Sequence, residues 1–179
     1  MQLGFFATAI GVRLVDTQSA PVIQVAIGCE LRSMEFTRPL RFVAALAALI
    51  AGYAHISLYN QGYKDIPVGN IGVQFLLNAL SAVVIAVGLL APVFVTKLPP
   101  VVRWAAPAAG VVWAATSLLA FFVARTDSGW FGFVDMPGLN PSPEAQLSVF
   151  PEIIVVLTCS ALLATTWLSR SVPATTHAD

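Results

Sequence analysis

The chain has 179 residues, 58% of them hydrophobic and 10% charged, with a mean hydropathy of +0.82. Soluble domains carry about 45–50% apolar and about 25% charged residues, so a soluble globule of this make-up could not hide its apolar surface; disordered chains are polar and charge-rich. Nine Lys and Arg against nine Asp and Glu leave no net charge and no basic face for nucleic acid. What remains is a polytopic membrane protein whose first partner is the lipid bilayer.

In chain order, residues 1–33 come first. Leu3 to Val12 is apolar but too short to span, and no basic residue precedes it, which makes a poor signal peptide. We read 1–33 as an extension, disordered or interfacial, ahead of a plausible start at Met34; a short amphipathic leader is the alternative. Four segments then reach or approach the roughly 20 apolar residues that cross about 30 Å of hydrocarbon. They cover about 40–58, 71–95, 101–123 and 149–168. In lipid a backbone must satisfy its own hydrogen bonds, so each is expected to be a helix. Gly62, Pro67 and Gly69 break the chain between the first two spans, and Pro99-Pro100 end the second. Pro107 marks either the true start of the third span or a kink in it. Residues 124–148 contain Pro137, Gly138, Pro141 and Pro143 and read as a loop; 171–179 is a polar tail. The expected fold is all-α, a four-helix transmembrane bundle over residues 34–170.

Basic residues set the expected topology. Arg13, Arg32, Arg38, Arg41, Lys97, Arg103 and Arg170 fall on one side, against Lys64 and Arg125 on the other. The positive-inside rule then puts both termini in the cytoplasm of a cell-membrane protein. Trp130, Phe131 and Phe133 are placed as an outer aromatic belt would be, and Trp104 and Trp167 as an inner one.

Polar residues inside spans are few, so each is informative. His55 lies in the outer third of the first span and Glu152 at a similar depth, in what reads as the first turn of the fourth. Gln74 and Asn78 lie on one face of the second span with Ser81 and Ala82. Ala44, Ala48 and Gly52, and likewise Ala47, Ala51 and His55, recur every four residues, and Ala106, Gly110 and Ala114, followed by Ser117, do the same in the third span. Rows of small residues let helices approach closely. The expected cluster is therefore His55, Gln74, Asn78 and Glu152 near the outer mouth. It reads as a proton-handling or ligand-orienting site, as helix-to-helix hydrogen bonds, or, for Glu152, as a carboxylate that meets water and complements a helix N-terminus.

No catalytic motif occurs: there is no Walker A, GxSxG or HExxH. One intramembrane His and one Glu fall short of a metal site, and no second buried His is available for haem, so neither metal nor cofactor is expected. Cys29 and Cys159 are far apart in the chain and form no CxxC pair.

The stretch AGYAHISLYNQGYKDIPVGNIGVQFLLNALSAVV resembles a group of small four-span membrane proteins from high-GC actinobacteria. The matching features are the small residues before His55, the segment with Gly62, Tyr63, Ile66 and Pro67, the amide Asn78, the turn GWFGF from Gly129 to Phe133, and the acid Glu152. The resemblance implies no particular activity. The four-span, short-loop layout is also similar to DoxX-type proteins, which implies a link to quinone and redox complexes. Three functions stay open: a non-enzymatic accessory component of a membrane complex or homo-oligomer, a redox or quinone-associated protein, and a small proton-coupled carrier.

Overall fold

The computed structural model describes residues 20–95 and 97–170. Every long element is a helix: α1 (Ala20–Asn60), α2 (Ile71–Phe94), α3 (Pro100–Val123) and α4 (Glu144–Arg170), with a short 3₁₀ turn at Tyr63–Asp65. Among the described residues there is no β-strand. The segments Thr37–Asn60, Ile71–Phe94, Pro100–Val123 and Glu144–Leu168 are each long and apolar enough to cross a membrane. At about 1.5 Å per residue, 24 or 25 residues reach ~36 Å, enough for the hydrocarbon layer with some tilt. This is the make-up of an integral, multi-pass membrane protein.

The described residues up to Glu35 and those from Phe36 on fall into separate units. In the first, the described part is helical from Ala20; the segment read as an extension thus carries helix in its later part, while residues 1–19 and the tail 171–179 lie outside the described residues. All that follows concerns the second unit.

The buried stripe of each helix recurs at three and four residues. In α1 it runs through Arg41, Ala44, Ala48, Ala51 and His55, and in α4 through Ser148, Glu152, Val155, Cys159 and Leu162. Leu46, Tyr53, Val84, Val87 and Leu157 lie on the opposite, exposed faces, as lipid contact requires. Small residues set the spacing. A Cβ on Gly52 would stand 2.7 Å from the Ala82 Cβ, so α1 and α2 touch nearly backbone to backbone there, and one on Gly110 would stand 2.9 Å from the Cys159 Sγ.

One boundary differs from the sequence reading. α3 begins at Pro100, close to the expected 101, so of the two readings of Pro107 the helix start falls away; it is buried in the helix interior. The fourth helix begins at Glu144, not near 149. The polar residues 144–148 carry no hydropathy signal, yet they form a first turn, with Ala145 N–H on the Pro141 carbonyl and Leu147 N–H on the Pro143 carbonyl. Glu144 is the acid that meets the helix N-terminus. Glu152 is therefore about two turns inside α4 and fully buried, which removes the reading of it as a first-turn carboxylate facing water.

Candidate functional site

The last turns of α1 and α3, the first turns of α2 and α4, and the two longer loops meet at one end of the bundle. There Ser117 Oγ and Ser148 Oγ donate to Glu152 Oε1 at 2.6 and 2.9 Å, and His55 Nε2 lies 2.9 Å from the same oxygen. Ser117 Oγ also lies 3.3 Å from His55 Nε2, and Asn78 donates to Ser117 at 3.4 Å. One helix thus supplies the acid, and the other three supply a ring, a hydroxyl and an amide. Two buried atoms in this group have no hydrogen-bond partner, His55 Nδ1 and Glu152 Oε2.

The structure brings His55, Asn78 and Glu152 together; Gln74 does something else. Its amide nitrogen donates to the Gly69 carbonyl at 2.6 Å and its oxygen accepts from Trp130 Nε1 at 2.8 Å, so it anchors the long loop to α2. Ser117 and Ser148 were not singled out as site residues. Serine is common on helix faces, and the available signal is position: Ser148 sits one turn before Glu152, and Ser117 continues the small-residue row of α3.

Above the polar group lies a cavity with about 70 Å³ of room for water centres. One water needs about 10–15 Å³ by that measure, so several waters or a small organic molecule fit. His55, Asn78, Ser117 and Ser148 line its floor, and Phe75, Phe121, Trp130 and Phe133 its walls. The His55 and Phe75 rings meet edge to face at 5.3 Å.

A folded loop covers this cavity. Trp130 and Phe133 exchange backbone hydrogen bonds at 2.8 and 2.9 Å, and Phe131 and Gly132 between them have φ of 48° and 81°. Two central residues at positive φ mark a type I′ hairpin turn, which requires a glycine-rich sequence. The turn aims Trp130 at Gln74 and lays Phe133 against Tyr63, at 6.0 Å between rings. The rings of Trp130 and Phe133 thus line the cavity, while Phe131 is 71% exposed.

Arg125 fastens the loop. Its guanidinium donates to the carbonyls of Phe121, Gly138 and Asn140 at 2.7–2.9 Å, pairs with Asp135 at 3.2 Å and lies 3.4 Å over the Phe121 ring. Asp135 also accepts from the Tyr63 hydroxyl at 2.9 Å. Burial, then the bond to Asp135, pushes the Tyr63 hydroxyl well above its ordinary range. Burial likewise lowers Arg125, opposed by the charge of Asp135.

Among the described residues no three His, Cys, Asp or Glu side chains converge as metal ligands would. What the arrangement offers is a partly open, aromatic-walled space with a hydrogen-bonding floor. No protein family model, curated protein or solved structure matches the chain.

Proposed function

We propose that this integral membrane protein is a binding protein rather than an enzyme, and that the covered cavity receives a small molecule with an apolar body and a polar end seated on the polar floor. One observation carries this reading: His55, Asn78, Ser117 and Ser148 line the same cavity as Phe75, Phe121, Trp130 and Phe133, so polar groups converge beneath aromatic walls. Apolar pockets with a few convergent polar groups are the usual form of small-molecule sites. The test is native mass spectrometry of gently purified protein, set beside the same measurement on His55→Ala. A bound small molecule lost in the variant supports the reading, and if that molecule is a quinone it favours the redox alternative. An empty wild-type protein whose melting temperature no small molecule raises overturns it.

A second reading, an accessory component of a larger membrane complex, is favoured by the loops themselves. Val68, Phe131, Val134 and Met136 are exposed apolar side chains outside the four spanning segments, the kind of surface that marks an interaction site. Co-purification of a discrete partner, lost when Val134 and Met136 become Ser, supports this role; unchanged behaviour as a lone species removes it.

We place both termini on the cytoplasmic side of the cell membrane, on the Lys and Arg asymmetry. A reporter fused after residue 179 is expected to be active inside the cell; activity confined to the outside reverses the assignment.

A further inference from the structure

One oxygen of the cavity lining is left for something outside the protein. The Asn78 amide nitrogen donates to Ser117 Oγ at 3.4 Å. Ser117 spends its own proton on Glu152 at 2.6 Å, so it meets Asn78 as an acceptor, and the Asn78 oxygen Oδ1 is turned away from it. Among the described residues nothing donates to that oxygen. The unpartnered side-chain atoms sealed from solvent there are His55 Nδ1, Trp113 Nε1 and Glu152 Oε2. Asn78 Oδ1 is not one of them: it keeps accessible surface, on a half-buried residue that lines the cavity.

Depth decides where a donor can come from. Asn78 lies about two turns inside α2, within the spanning segment Ile71–Phe94. Hydrocarbon outside the helix offers no hydrogen bond, so the cavity is the route by which a donor reaches the amide.

The other polar groups of the lining are committed. Gln74 bonds the Gly69 carbonyl and the Trp130 indole, and Ser148 donates to Glu152. Arg125 and Asp135 pair with each other; Arg125 also holds three carbonyls, and Asp135 accepts from Tyr63 and from the Met136 N–H. His55 turns Nε2 to Glu152 and Ser117, and its Nδ1 is sealed. An ionic ligand would lose its hydration here with no free counter-charge to replace it. What the lining asks for is a neutral donor. Its walls, Phe75, Phe121, Trp130 and Phe133, pair well with a further aromatic ring, edge to face or offset.

Resting on the small-molecule reading above, we propose that the cavity binds a neutral aromatic hydroxyl compound, a phenol, with its ring among these side chains and its O–H donated to Asn78 Oδ1.

Fluorine NMR titration of the full-length protein in detergent tests this with 4-fluorophenol and with 4-fluorotoluene, which carries a methyl group in place of the hydroxyl. Protein-free micelles correct for uptake by the detergent. The phenol is expected to bind about fivefold or more tightly, the scale of one hydrogen bond net of desolvation. Asn78→Leu keeps a branched side chain of similar shape and removes the oxygen; it should abolish the preference and leave the toluene bound. Cyclohexanol should displace 4-fluorophenol about fivefold less well than phenol does, the scale of an aromatic pair. Equal binding of the two probes to the wild-type protein overturns the donor inference and leaves the small-molecule reading standing. Binding of neither overturns the proposal, and native mass spectrometry then decides the small-molecule reading separately. A preference that survives Asn78→Leu overturns Asn78 as the seat, and equal displacement by cyclohexanol overturns the aromatic class. The wild-type comparison decides even where the variant does not fold.

Discussion

Arg41 Nη2 donates to the Arg103 carbonyl at 3.1 Å, the carbonyl that Pro107, having no N–H, leaves without its donor four residues on. The same guanidinium reaches the Leu89 carbonyl at 3.3 Å. A buried arginine of α1 thereby ties α2 and α3 together. Sequence reading used Arg41 as a marker of membrane side; the fold uses it to repair a helix.

Replacing Arg41 by Met should therefore destabilise the bundle by about 1–3 kcal/mol, the cost of a buried carbonyl left unpaired. Pro107→Ala restores an N–H to the same carbonyl, so Arg41→Met should cost less in that background. Unfolding in detergent of the four proteins checks this; equal losses in both backgrounds would show that the Arg103 carbonyl is not the reason.

For the polar floor, His55→Ala and Glu152→Gln should each destabilise, and together should cost less than their sum. Couplings between membrane side chains average about 0.6 and reach about 1.7 kcal/mol. A double-mutant cycle reads the coupling, and strict additivity would mean that the 2.9 Å contact contributes nothing.

At the α1–α2 crossing, Gly52→Ala should lose about 1–3 kcal/mol, since the added Cβ meets that of Ala82 and the helices must part. Ala82→Gly should recover most of the loss. A mild Gly52→Ala with no response to Ala82→Gly would place the crossing elsewhere.

The loop carries a pH dependence of definite sign. Burial and the bond to Asp135 raise Tyr63 above its ordinary 10.0, so the folded state holds the phenol proton more firmly than the unfolded one. The resulting stabilisation is fully present below about pH 10 and is lost as pH rises beyond it. Tyr63→Phe should flatten that alkaline loss. Melting curves of both proteins at alkaline pH check this, and parallel declines would remove Tyr63 as the cause.

Arg125→Gln should release the clasp on the Phe121, Gly138 and Asn140 carbonyls. Limited proteolysis within 126–143 should then quicken while the four helices stay inserted. An unchanged cleavage rate would show that the hairpin holds the loop without Arg125.

Much of the site was legible because charge is costly in hydrocarbon. A histidine and a glutamate within apolar runs stand out, and small residues at every fourth position of α1 mark the buried face they share. Ser117 and Ser148 did not stand out, because a hydroxyl in a helix costs little and can bond its own backbone, as Thr116 does to the Val112 carbonyl. Gln74 had the right face but a different partner, since the Trp130 indole comes from a hairpin more than fifty residues away in sequence.

By itself, the sequence determined the number and approximate bounds of the spanning helices, because transfer of apolar residues into lipid depends on composition over about 20 residues and on little else. It left the start of α4 too late, because hydropathy does not register a polar first turn. Which side chains meet was decided only in three dimensions. Helix rotation and separation follow from close packing, with Gly52 on Ala82 and Gly110 on Cys159, and a shift of one residue turns a helix by about 100°. That packing puts His55 against Glu152, places Arg41 under the gap at Pro107 and lines an aromatic-walled cavity with His55.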